Sequence, residues 1–387
     1  MIGQQYEKNS IYTECFTVSV STVEVNMTTP KPKNDNVLFT EQIKKPGMLN
    51  QLIPWVITIF IFIWLYSTID FRQIFKILGQ AQLSYFIPFM VGFVILLGVI
   101  DSFTFGQAYS WFCTHLTAYE RLEVRIAPYI FQVIFAQLAD VFVLLYLWRK
   151  KGVHPTHALS STIWTMVNDY AAFATMITIA VIYNIKYKLI PQINIYWLMA
   201  VIIFWLLYFL NLIFWHSSLQ PRIAARIERS HKEKLGKRES DNLLLRMMGE
   251  IIQLLRTFSM ARWYHYLFVY GLRILALTGV LVSNCVALKS LGINISVSLA
   301  LVAIPIINLS YFLPINIAGF GGPQAISILF LYEIGHCGSK EQIVAYSLLW
   351  STSFLICRFF FGLVFIRGFW GNAFPEGFTR WLKRSSA

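Results

Sequence analysis

Leu313-Pro314-Ile315-Asn316-Ile317-Ala318-Gly319-Phe320-Gly321-Gly322-Pro323-Gln324 joins two strongly apolar runs, around 294–313 and 318–336. Two prolines and three glycines in twelve residues cannot continue one unbroken helix, because Pro removes a backbone donor and Gly loosens the chain. Pro323 suits the first turn of a following helix, where its missing N–H needs no partner. The stretch therefore reads as a helix ending near Leu313, an unwound glycine loop, and a short helix over 323–335. A helix start presents free N–H groups and the positive end of a dipole, which at membrane depth is an anion site for a lipid phosphate. Close packing of helices through small residues is the other reading of the same glycines.

The rest of the chain places this break in a membrane. Of 387 residues 57% are hydrophobic, 13% are charged and 16% are aromatic, with a mean hydropathy of +0.58. A water-soluble fold of this size could not bury so much apolar surface. Soluble enzymes, secreted disulfide scaffolds and disordered chains are excluded, and the composition is that of an integral membrane protein. The net charge of +13 lies almost entirely between apolar runs, where it sets topology beside anionic headgroups; no nucleic-acid partner is expected. Five scattered cysteines show no metal or disulfide pattern.

Apolar segments of membrane-spanning character lie near 51–67, 84–108, 126–148, 158–183, 194–215, 264–287, 294–313, 318–336 and 342–366. They predict an all-α polytopic bundle of about 8 spans plus one re-entrant hairpin, in two loosely repeated halves with interrupted helices. The polar residues 1–48 read as a disordered cytoplasmic tail and 369–387 as a basic cytoplasmic tail, with the membrane domain between them over 49–368. The linker 216–262, with ten Lys and Arg, falls on the cytoplasmic side, and its part 240–258 has the spacing of an amphipathic surface helix. Both termini are then inside, in a multi-pass protein of the inner (plasma) membrane.

Segment 126–148 conflicts with that charge rule, since Arg121 and Arg125 precede it and Arg149, Lys150 and Lys151 follow it. The conflict disappears if the segment enters and leaves on one side. Its middle, Phe135-Ala136-Gln137-Leu138-Ala139-Asp140, carries an amide and a carboxylate that lipid tolerates only inside protein or beside water. The second half echoes this region: Gly152 leads to Ala158, Ser160 and Trp164, and Gly338 leads to Ala345, Ser347 and Trp350. Interrupted helices at matching places in two halves point to the substrate site of a transporter.

The run Leu313-Pro314 with Gly319-Phe320-Gly321 and Gln324-Ala325, followed by Gly338, Ala345, Ser347-Leu348-Leu349 and Gly362, resembles the lysylphosphatidylglycerol synthase transmembrane-domain family of flippase-like membrane proteins. The resemblance covers about 50–368 and implies handling of phospholipids, modified phospholipids or polyprenyl-phosphate sugars. Gln324 stands where the family usually carries Glu, after Pro323. In the weaker first signature, Phe135, Gln137 and Ala139 replace Pro, Arg and Gly, while Asp140 keeps the acid. Asp169 keeps an acid in the helix that follows, and Arg358 fills the arginine place in the last helix. The synthase domain that would transfer lysine is not in this sequence.

Charged residues at bilayer depth cost about 2.5–3.5 kcal/mol on insertion scales and usually face the bundle interior. Asp101, Asp140, Asp169, Arg273, Glu333 and Arg358 are the candidates, with Asp101 and Glu333 placed nearer segment ends. The candidate substrate-binding residues are thus Gln137, Asp140, Asp169, Gly319, Gly321, Gly322, Gln324 and Arg358, meeting at a midplane cavity. No motif for an enzyme, a cofactor or a metal is present, so no catalytic residue is expected. The expected partners are membrane lipids with anionic headgroups, and among proteins a second copy or a membrane enzyme. A non-transporting scaffold of an envelope-glycolipid pathway is the competing function, motivated by the neutralised family positions.

Overall fold

The computed structural model describes residues 71–132, 136–187, 195–216, 256–312 and 321–373. Residues 1–70, most of the 216–262 linker, residues 133–135, residues 313–320 with Gly319, and residues 374–387 lie outside the described residues, while 369–373 of the expected tail belong to the last helix. Every regular element among the described residues is helical, as the composition predicts. In chain order these are α1 (Phe71–Gly79), α2 (Leu83–Phe112), α3 (Ala118–Ile126), α4 (Tyr129–Gln132), α5 (Ala136–Lys151) and α6 (Pro155–Tyr187). Then come α7 (Ile195–His216), α8 (Arg256–Met260), α9 (Trp263–Ser290), α10 (Val297–Leu309), α11 (Gly322–Ser327) and α12 (Lys340–Ala373). A 3₁₀ turn, Ser310–Phe312, extends α10, and a π-helix, Ile328–Ile334, extends α11.

Five of these, α2, α6, α7, α9 and α12, are long and apolar enough to cross a membrane. About eight spans are expected from hydropathy; of the three not found among the described residues, 51–67 lies outside them and the other two have a physical cause. Runs 294–313 and 318–336 are short arms rather than spans: α10 has 13 residues, about 20 Å at 1.5 Å per residue against about 30 Å of hydrocarbon.

Segment 118–151 folds back on itself. Thr117 starts α3 with a capping box, its hydroxyl accepting from the Glu120 N–H while its own N–H donates to Glu120 Oε2 at 2.9 Å. Contacts then pair 120–125 with 151–140 in descending register, and Phe131 beyond them meets Phe142. Lys151 Nζ reaches Glu120 Oε1 at 2.8 Å, Tyr146 donates to Glu123 at 2.6 Å, Arg125 meets Asp140 at 3.0 Å, and Phe131 stacks on Phe142 at 3.7 Å. The two arms run antiparallel with their outer ends together. The two basic clusters that conflict in sequence share one end of the molecule, where Glu120 and Glu123 neutralise Lys150 and Lys151.

A second hairpin follows the same plan. α10 packs on α11, and a Cβ on Gly335 would collide with the Leu299 side chain, so residues 299 and 335 are neighbours at the outer end. Each hairpin is left through a glycine with left-handed backbone, Gly152 at φ 66° and Gly338 at φ 145°, and a long helix begins beyond it.

The halves are thus α2–hairpin–α6 and α9–hairpin–α12, and they run in opposite senses. α2 and α9 lie antiparallel, with Gln82 bonding Ser290, Asp101 pairing with Arg273 and Trp111 stacking on His265. The first hairpin hangs from the end where α2 finishes, and the second from the end where α9 finishes. These are the near and far ends below. The hairpin of each half packs on the last helix of the other, α12 against α3–α5 and α6 against α10. Gly362 of α12 allows this: a Cβ there would stand 3.2 Å from the Ile126 carbonyl and the Ile130 nitrogen.

Candidate functional site

The elements converge on a buried chain of charge. Asp101 lies within α2, Arg125 ends α3, Tyr129 and Gln132 bracket α4, Asp140 is in α5, Asp169 in α6, Arg273 in α9 and Arg358 in α12. Arg273 sits between two carboxylates, with Nη1 on Asp101 Oδ1 and Nε on Asp169 Oδ1, while Nη2 donates to Asp169 Oδ2 at 3.2 Å. The other Asp101 oxygen accepts from the Tyr129 hydroxyl at 2.8 Å and lies 3.6 Å from Arg358 Nη2. Arg358 Nη1 donates to Gln132 Oε1 at 2.6 Å.

Three arginines this close would repel one another in a low dielectric, and three aspartates balance them. Aromatic faces help to separate the cations. The Arg125 and Arg273 guanidiniums sit 3.8 and 4.8 Å from the centre of the Phe105 ring, and Arg358 sits 4.3 Å from both Tyr129 and Phe354. Exposure is graded along the chain. The Asp101 side chain is 7% exposed and that of Asp140 30%, so the network opens towards Asp140 on the first hairpin. The Nε atoms of Arg125 and Arg358 are buried donors without a hydrogen-bond partner. A buried N–H left unmade costs about 1–3 kcal/mol, so each is a place for an acceptor to enter.

Of the residues singled out in sequence, Asp140, Asp169 and Arg358 join this network. Gln137 lies in the first turn of α5, its side chain outside the described residues. Gly321 takes φ 106°, a backbone that L side chains rarely adopt, and leads through Gly322 and Pro323 into α11. Gln324 is 2% exposed, and its side-chain oxygen accepts the Gly321 N–H at 2.6 Å. The amide therefore folds back onto its own helix start and takes one of the donors that the sequence reading leaves to a phosphate. Its Nε2, and the hydroxyl of Ser327 one turn on, are buried without partners.

Sequence reasoning misplaces Asp101 and overlooks Arg125, Tyr129 and Gln132. Asp101 looks close to a segment end because the apolar run stops near 108. The helix continues to Phe112, with Ser102 and Thr104 bonding back to the carbonyls four residues earlier. Arg125 reads as a topology charge, yet its guanidinium is inside. The usable signal is Glu120-Arg121-Leu122-Glu123-Val124-Arg125, too mixed in sign for a plain basic flank.

The profile of the family described as the lysylphosphatidylglycerol synthase TM region matches residues 51–362. No curated protein and no solved structure matches the chain. The match takes in both hairpins, both glycine exits and every member of the charge network, so this multi-pass membrane protein belongs to the lysylphosphatidylglycerol synthase TM-region family.

Proposed function

We propose that this protein binds membrane lipids by their phosphate-bearing headgroups and carries them between leaflets, without catalysing a reaction on them. One observation carries the reading: three arginines and three aspartates from both inverted halves form a neutral, buried network with two unpartnered arginine donors. Charge at this depth is expensive and marks substrate paths in membrane proteins. Inverted repeats with broken helices around a midplane site are the architecture of alternating access. Arginine suits phosphate because its planar fork offers paired donors. A headgroup arriving from the Asp140 side would take the free Nε donors of Arg125 and Arg358, and any amine or hydroxyl it carried would find Asp140 and Asp169. The charge rule puts the near end, with Arg121, Arg149 and Arg262, in the cytoplasm.

Reconstitution into vesicles with fluorescent phospholipids tests this. The wild type moves label between leaflets, and an Arg358→Ala/Gly321→Leu variant of equal abundance moves it at least tenfold more slowly. Equal rates would overturn the proposal.

A scaffold function draws on the same pairing, because an internally neutralised network is also what holds two halves shut. Crosslinking separates the two: a stoichiometric protein partner with no bound lipid favours the scaffold.

A further inference from the structure

An open apolar recess of about 650 Å³ lies between α7 and α9. Trp205, Tyr208 and Leu212 form one wall, and Trp263, Leu267 and Tyr270 form the other. The α9 residues belong to its first two turns, so the recess lies in the leaflet of the near end. α7 is turned to lipid, with Ile202, Leu206, Leu207 and Ile213 all more than half exposed. At that depth there is no water, and an open apolar groove in a bilayer is filled by hydrocarbon.

Its position makes it more than ordinary lipid-facing surface. The inner wall is pinned to α6: the Tyr270 hydroxyl bonds Thr175 at 2.6 Å and Trp205 Nε1 donates to Thr178 at 3.0 Å. Tyr270 is one turn before Arg273, and Thr175 is on the same helix as Asp169. The recess therefore ends one helical turn from the Arg273–Asp169 pair. Arg262, exposed, precedes Trp263 in the chain.

The geometry points to this recess as the seat of one hydrocarbon tail of the transported lipid, and so to the α7–α9 gap as the lateral entrance from the near-end leaflet. The inference rests on the lipid-carrying reading and adds where the tail sits. A chain held there lies along the start of α9, between the residue that follows Arg262 and the turn that leads to Arg273. The lining is almost wholly apolar, which suits a long saturated or isoprenoid chain.

Native mass spectrometry of the full-length protein, with dipalmitoyl- and dihexanoyl-phosphatidate as probes, tests it. Leu267→Trp and Leu212→Trp fill the recess from opposite walls, and Leu275→Trp, exposed on α9 outside it, is the control. The wild type and Leu275→Trp retain the long-chain probe over the short-chain one. Either filling variant lowers long-chain retention about tenfold, equivalent to about 1.4 kcal/mol, at unchanged short-chain retention. Unchanged long-chain retention in both correctly folded filling variants overturns the tail seat and leaves the lipid reading standing. Failure of the wild type to retain either probe overturns both. A change from dimer to monomer mass in the filling variants assigns the recess to a second copy and likewise overturns the inference.

Discussion

Removing the guanidinium of Arg273 would strip Asp169 of its ion pair at membrane depth and leave Asp101 with the longer Arg358 ion contact alone. Breaking a buried pair in this way costs about 3–5 kcal/mol, because the stranded charges lose their compensation without regaining water. Arg273→Ala is therefore expected to lower the unfolding free energy in detergent by about that amount, measured by denaturant titration of tryptophan fluorescence. Arg273→Lys restores the charge but not the fork that holds two carboxylates at once, and it recovers less than half of the loss. Full recovery by lysine would show that only the charge matters. At this scale the sequence was partly legible. Rarity of charge in lipid marks Asp140, Asp169, Arg273 and Arg358, because insertion energetics single out such residues wherever they occur. It does not reveal that Arg125 is inside, since a cation next to a hairpin end and a cation in the interior look alike in a linear string.

The first hairpin is closed at its outer end by charge and fixed along its length by close approach, and the two can be tested apart. Burial alone would raise the Glu120 carboxyl, but hydrogen bonds from Lys151, the Thr117 N–H and Lys150 hold it down at about 2. A carboxylate depressed in the folded state contributes stability that is present above its unfolded value and lost as pH falls through the folded one. The clamp should thus weaken between about pH 4.5 and pH 2. Glu120→Gln flattens that part of the thermal stability profile relative to wild type; parallel profiles would remove Glu120 from the clamp. Gly362 fixes the arm, since a Cβ would press on Ile130 Cγ1 at 2.9 Å and on hairpin backbone at 3.2 Å. Backbone cannot step aside as a side chain can, so Gly362→Val is expected to cost about 1–3 kcal/mol, read from the same titration. An unaffected Gly362→Val protein would mean that α12 and the hairpin are not held in this contact. The first hairpin was legible in kind because a charge rule and a polar centre agreed on it, but not in its bounds: it is built from 118–151 rather than 126–148, and Gln137–Asp140, expected at the break, lie inside unbroken α5. The second was readable only as a break after Leu313. Hydropathy counts its arms as two spans, and what shortens them is the Ser296 cap and the 3₁₀ turn at Ser310–Phe312, local geometry that an apolar window averages away.

At the level of the whole molecule the decisive property is that the two halves face opposite ways, which a sequence echo from Gly152 to Trp164 and from Gly338 to Trp350 does not contain. An echo gives equivalence, and only the antiparallel packing of α2 on α9 supplies the inversion. The inversion matters because inverted repeats enclosing a site are one architecture of alternating access, the motion that the lipid-carrying proposal calls for. The two hairpins are also held unequally. Glutamate–lysine pairs and the arginine network fasten the first, while the polar side chains of Gln324 and Ser327 in the second hold unused bonding capacity. The inversion itself is open to a direct measurement in sealed vesicles carrying a cysteine-free background. His154→Cys, in the exit of the first hairpin, and Ser339→Cys, in the exit of the second, should react with a membrane-impermeant maleimide from opposite faces. Each should become fully reactive only from its own side until detergent is added. Labelling of both from one face would place the hairpins on a common side, and the inverted arrangement, the alternating site between the halves and the near-end tail seat would fall together.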